Sequence, residues 1–111
     1  MLPLLLAGWL VTAYDLDFAC TGKYPSHKAW GITTSGRVTV EHHTIACPPS
    51  LPLGSVISIP SIGEYLLVCD DRGGKIKGRH VDLFMGTHEE ALRFGRRRLE
   101  VNVLFINRGR K

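Results

Sequence analysis

Two carboxylates, Asp71 and Asp82, stand eleven positions apart across the glycine-rich run Asp71-Arg72-Gly73-Gly74-Lys75-Ile76-Lys77-Gly78-Arg79-His80-Val81-Asp82. Such a pair can do acid/base chemistry. Asp71 follows the apolar segment 65–69 and Asp82 lies inside a second one, with Val81, Leu83 and Phe84, so both are expected at strand ends beside a half-buried cleft. Burial raises a carboxyl pKa, and two acids in one cleft do not both ionise cheaply, so one can hold a proton while the other stays charged. Arg72 and Lys75 add positive charge nearby and would favour the ionised forms. The plainer alternative reads Asp71 as a turn residue before Gly73-Gly74 and Asp82 as an ordinary hydrogen-bonded polar group.

The elements that must position this pair are short. Apolar stretches at 10–14, 36–40, 44–47, 55–59, 65–69, 81–84 and 99–106 are each bounded by Gly, Pro, Ser or Asp. They predict short strands and a small barrel in which the sheet closes on itself. One helix interrupts them. Thr87-His88-Glu89-Glu90 is a capping-box pattern, followed by apolar Ala91, Leu92 and Phe94 and a stop at Gly95. Pro48, Pro49 and Pro52 make 48–54 a stiff connection expected at a surface or rim. The stretch 15–34 has little periodicity and reads as a large loop. Its Tyr24 and Trp30 are the types that stack on sugar faces, although they serve equally well to pin a loop to a barrel.

A chain of 111 residues with 44% apolar and 22% charged residues suits one domain with a sizeable core, and excludes a disordered chain. The expected organisation is an apolar N-terminal segment at 1–10, a domain at 11–106 and a basic tail at 107–111. The opening segment lacks a basic n-region, and at roughly 13 apolar residues it falls short of the about 20 that a membrane span needs. The formal charge of +4 is concentrated in Arg93, Arg96, Arg97, Arg98 and the terminal Arg108, Arg110 and Lys111. A patch of that kind suits nucleic acid, an anionic membrane or an anionic wall polymer. No aromatics interleave with the arginines, so nucleic acid is not expected as a partner.

Cys20, Cys47 and Cys69 allow one disulfide and one thiol, and none has Cys-x-x-Cys spacing. Cys47 and Cys69 both end strand-like segments and could be neighbours; free buried thiols are an equal alternative. A metal site from His42, His43, Cys47 and Cys69 is disfavoured, because adjacent histidines on a strand point in opposite directions. His27, His80 and His88 read as surface or turn residues. No metal or cofactor is expected.

Taken in order, Val11-Thr12-Ala13-Tyr14, Gly31-Ile32-Thr33-Thr34-Ser35-Gly36, Thr44-Ile45-Ala46, Leu51-Pro52-Leu53-Gly54-Ser55, Asp71-x-Gly-Gly-x-Ile-Lys-Gly-x-x-Val-Asp82 and Ala91-Leu92-x-Phe-Gly-Arg-Arg97 resemble the 3D domain, named for three aspartates. The resemblance runs from about Val11 to Leu104 and extends to the catalytic domain of MltA-type lytic transglycosylases and small 3D-domain muralytic enzymes. It implies a six-stranded double-psi β-barrel with one short helix. It also implies cleavage of peptidoglycan glycan strands, with Asp82 as catalytic acid/base and Asp71 as the second aspartate. Gly73, Gly74, Lys75, Thr33, Ser35, Trp30 and Tyr24 are then candidate glycan contacts. The implied location is the cell envelope or the extracellular space, reached by secretion or delivered by a phage. The first aspartate does not carry over: where the family reads Ile-Ala-Val-Asp-Pro, this chain has Ile45-Ala46-Cys47-Pro48-Pro49. That departure leaves two alternatives to a transglycosylase, a glycan-binding module of the same fold and a water-using glycan hydrolase.

Overall fold

In a computed structural model that describes residues 8–16 and 30–109, the apolar segments become seven strands and one helix. The strands are β1 (Trp9–Tyr14), β2 (Thr44–Ala46), β3 (Val56–Ser58), β4 (Leu67–Asp71), β5 (His80–Phe84), β6 (Arg97–Leu99) and β7 (Asn102–Phe105), with a 3-10 turn at Pro60–Ile62. The helix, α1 (His88–Phe94), has the expected ends. Thr87 accepts a 3.1 Å hydrogen bond from the Glu90 amide, and Gly95, at φ 67°, donates its amide to Ala91. A left-handed φ of this kind suits glycine and ends the helix cleanly. Among the described residues no helix is long and apolar enough to cross a membrane.

The six-stranded double-psi β-barrel implied by the resemblance is not what forms. The strands make one open mixed sheet in the order β6-β1-β5-β2-β4-β3-β7. β1 runs parallel to β5 and β2 parallel to β4, while the β1/β6, β2/β5, β3/β4 and β3/β7 pairs are antiparallel. β6 and β7 lie at opposite edges of this order, yet only Glu100 and Val101 separate them in the chain. Two residues reach only about 10 Å between strand ends, so the sheet must curl to bring its edges near one another. No ladder joins β6 to β7, and the sheet stays open. The single apolar run at 99–106 is thus divided between two edges.

The stretch 36–40 also departs from its expected strand. Its backbone groups are used locally: Thr33 donates to Arg37, Gly36 to Thr33 and Thr39 to Gly31, leaving only an isolated bridge between Ile32 and Val38. Val38 and Val40 stay exposed, so the alternation of apolar residues there covers no core.

Side-chain alternation assigns the two faces of the sheet. Val11, Ile45, Ile57, Leu67, Cys69, Val81 and Leu83 point to one face and form the main core with Leu51, Ile59 and Phe94. Tyr14, Ala46 and Phe84 point to the other and make a smaller cluster with Ile76 from the glycine-rich loop. Cys47 and Cys69 are joined in a disulfide within the main core, with Cα atoms 5.4 Å apart. Pro48 is fully buried beside it instead of lying at a rim. With no amide proton it leaves no donor unpaired, and its carbonyl accepts from Arg72 at 2.7 Å.

Candidate active site

The face bearing the smaller cluster carries the acids, and strand register sets them in a row. Thr12 on β1 lies opposite Asp82 on β5, Asp82 opposite Ala46 on β2, and Ala46 opposite Asp71 on β4. The two carboxylate-bearing backbones are therefore two strand spacings apart, about 10 Å, with Ala46 on the strand between them.

Asp71 reaches this row through an irregularity. In a regular strand Cys69 and Asp71 would share a face, and Cys69 is in the main core on the far side. The register shifts between Ile45 and Ala46, which face Cys69 and Asp71, so Asp70 is an extra residue. A bulge of this type re-aims the side chains that follow it. Both Asp70 and Asp71 now meet the segment 30–38. Buried Asp70 accepts from the Ser35 hydroxyl at 3.0 Å, and its carbonyl from the Ser35 amide at 2.9 Å. Arg37 stands 3.8 Å from the same carboxylate.

Asp71 accepts four hydrogen bonds. Its Oδ2 accepts from the Tyr14 hydroxyl at 2.8 Å, and its Oδ1 from the Thr34 amide at 3.0 Å, the Thr34 hydroxyl at 2.9 Å and the Arg72 amide at 3.0 Å. Three of these bonds converge on Oδ1, with the Arg72 amide shared between it and the Thr34 hydroxyl oxygen at 3.2 Å, and among the described residues Oδ2 takes one. Burial, and then the charge and hydrogen bond of Asp71, push the Tyr14 hydroxyl pKa far upward, so Tyr14 remains a donor.

Asp82 is served sparingly. Thr12 donates its hydroxyl to Oδ1 at 2.8 Å, and the same Thr12 oxygen lies 2.9 Å from His80 Nε2. Burial pushes the Asp82 carboxyl above the ordinary carboxylate range. The Thr12 hydrogen bond and His80 pull it back in part, and the charge of Asp71 adds to the rise. Arg72 does not counter this. Its guanidinium is spent on the carbonyls of Cys47 and Pro48, at 3.0 and 2.7 Å, and it braces the chain leaving β2.

The other predicted contacts are spread around this row. Thr33 and Ser35 hydrogen-bond to each other at 3.0 Å and, with Asp70, hold the 30–38 segment. Trp30 is part-exposed and donates to the Leu16 carbonyl at 3.2 Å, which pins its segment beside the end of β1. Gly73, Gly74 and Lys75 are exposed on the turn closed by the Ile76 amide on Gly73. A Cβ at Gly73 would come within 2.8 Å of Ile76, whereas Gly74 faces open space. Tyr24 lies outside the described residues. The arginine run is partly structural: Arg97 covers the Phe94 ring at 4.3 Å and donates to the Phe94 carbonyl, and Arg98 donates to Gly8.

The model of the family described as the 3D domain matches residues 43–107, more than half of the 111-residue chain. The chain belongs to the 3D domain family. No curated protein matches it. The matched part of this 3D domain holds β2 to β7 with Asp71 and Asp82, while Thr12, Tyr14 and Thr34, which complete the site, precede it. Thr12, Tyr14, Thr34, Asp70 and His80 are the site residues that sequence reasoning missed. The i, i+2 spacing of Thr12 and Tyr14 on a strand was the available signal, since it places both on one face.

Proposed function

We propose that this 3D domain cleaves peptidoglycan glycan strands as a lytic transglycosylase, with Asp82 as its acid/base. The observation that carries the reading is the contrast within the carboxylate pair: burial biases Asp82 toward its protonated form, and its Oδ2 accepts no hydrogen bond among the described residues, while Asp71 accepts four. Family membership and the resemblance to MltA-type domains support the substrate class.

In this mechanism the Asp82 O–H bond breaks and its proton passes to the glycosidic oxygen between MurNAc and GlcNAc. The bond from the anomeric carbon to that oxygen breaks with its electron pair going to the oxygen. The muramyl C6 hydroxyl attacks the oxocarbenium-like carbon, closing a 1,6-anhydro ring, and its proton returns to Asp82. No water is consumed, and one carboxyl suffices because the substrate carries its own nucleophile. Ordinary glycosidases need a second carboxylate to attack the sugar or activate water. An Asp71 held by four hydrogen bonds to its own chain is poorly placed for that work, and this favours the transglycosylase over the hydrolase. Asp71 instead positions the 30–38 segment at the rim. Pro48 offers no carboxylate to a sugar, so affinity must come from elsewhere on the cleft, with Lys75, Trp30 and the backbone at Gly73 and Gly74 as the candidates.

Digestion of purified peptidoglycan, with products read by mass spectrometry, tests this. Anhydromuropeptides are expected. Reducing ends would mean hydrolysis, and glycan binding without products would mean a binding module.

A further inference from the structure

His80 enters the site through a single atom, and that atom constrains the direction of a proton. The Thr12 hydroxyl has one hydrogen to give and two lone pairs to receive with. It sits 2.8 Å from Asp82 Oδ1 and 2.9 Å from His80 Nε2, with the Val81 carbonyl more distant at 3.5 Å. Strand geometry makes this arrangement rigid: His80 and Asp82 are i, i+2 on β5 and share a face, and Thr12 is the register partner of Asp82 on parallel β1.

We infer that His80 is a positioning residue which donates Nε2–H to Thr12, so that the only Thr12 proton points to Asp82 Oδ1 and Oδ2 is the oxygen that carries the transferable proton. When Asp82 is ionised, Oδ1 can only accept. Thr12 must then donate to it, and among the described residues the group placed to donate to a Thr12 lone pair is a protonated Nε2 of His80. When Asp82 is protonated on Oδ2, the same two hydrogen bonds persist unchanged. The network therefore needs no rearrangement between the two halves of the reaction, as preorganised catalysis requires. With the opposite tautomer, Thr12 would donate to His80 and Asp82 would carry its proton on Oδ1, buried against β1 and turned away from substrate. The functional part of this inference rests on the reading of Asp82 as acid/base; the hydrogen-bond directions do not.

The titratable groups that bear on Asp82 are His80 on its own strand, Tyr14 on β1 and Asp71 on β4. They set the experiment. Nitrogen-15 NMR of the substrate-free protein reads the protonation of His80 Nε2 directly, and carboxyl carbon-13 NMR follows the titration of Asp82 in wild type, His80→Ala, His80→Gln and Thr12→Val. The expected result is a protonated Nε2 throughout the Asp82 titration. The Asp82 midpoint should move up in His80→Ala and in Thr12→Val, and return toward wild type in His80→Gln, whose amide can replace the donor. In the Thr12→Val background, adding His80→Ala should move the midpoint less than it does alone. On peptidoglycan, His80→Ala should lower kcat by about tenfold, as expected for a mispositioned acid, with KM unchanged and recovery in His80→Gln. An unprotonated Nε2, or an Asp82 midpoint indifferent to His80→Ala in a folded protein, overturns the inference. Absence of cleavage in the wild type would sink the functional reading alone, because both NMR measurements are made without substrate.

Discussion

The two ends of the carboxylate row differ in how they are held, and under the proposed function that difference separates positioning from chemistry. At the β4 end, Asp71 has four donors from three parts of the chain: Tyr14 on β1, Thr34 in the 30–38 segment, and the Arg72 amide. At the β5 end, Asp82 has one donor among the described residues, Thr12, and burial that raises its pKa. A carboxylate held by four donors of its own chain is suited to act as a clamp. One that is poorly solvated and sparsely bonded is suited to hold and release a proton. The same residue type, on the same face of the same sheet and two strands apart, is thus given two different environments, which the proposed function reads as two roles.

The substitution with the largest expected effect is Asp82→Asn, which removes the transferable proton and should lower the cleavage rate by about 10²–10⁴-fold. Its stability should move the other way. The unfolded chain ionises Asp82 in the ordinary carboxylate range, whereas the folded chain holds the proton to higher pH. Between those midpoints the folded state binds more protons, so the contribution of Asp82 to stability falls as pH rises and is fully lost above the folded midpoint. Asp82→Asn lacks that loss. Denaturant unfolding across pH should show the variant gaining on wild type through this window and losing the gain in more acid solution.

Asp71→Ala should break the other end. It strips partners from the Tyr14 hydroxyl and the Thr34 amide and leaves the Arg72 amide its longer bond to the Thr34 hydroxyl oxygen, at a cost of roughly 3 kcal/mol, and hydrogen exchange should quicken in 30–38 more than in β5. The disulfide sharpens the contrast further, because Cys69 lies just before the bulge that aims Asp71. Closing its loop stabilises the fold by about 3 kcal/mol. Cys69→Ser should lose that stability in unfolding experiments and quicken exchange near Asp71 before it does so near Asp82. The smallest change is Thr12→Val, which costs about 1 kcal/mol in stability while moving the Asp82 titration upward, since the hydrogen bond that lowers it is gone.

Much of this site is legible in the sequence, and the limits have physical causes. The spacing of Asp71 and Asp82 around a glycine-rich turn can be read locally, as can the cap at Thr87 and the stop at Gly95. The partners of the acids cannot, because Thr12 meets Asp82 through strand pairing across 70 positions and Tyr14 reaches Asp71 over two intervening strands from 57 positions away. Nor can the bulge: Asp70 and Asp71 are adjacent acids, and only the register shift turns both toward 30–38. Arg72 reads as a charge beside the acids until its guanidinium is found on the Cys47 and Pro48 carbonyls. The barrel expectation fails for a related reason: apolar alternation at 99–106 cannot tell whether the run is one strand that closes a sheet or two strands on opposite edges.

The most direct test compares Asp82→Asn and Asp71→Asn on the same peptidoglycan, with cleavage rate, product identity and glycan binding measured side by side. The account predicts that Asp82→Asn remains folded and binds glycan but releases no anhydromuropeptides, while Asp71→Asn still releases them at a reduced rate. Cleavage by Asp82→Asn, with Asp71→Asn inactive though folded, would contradict it and assign the proton to the other end of the row.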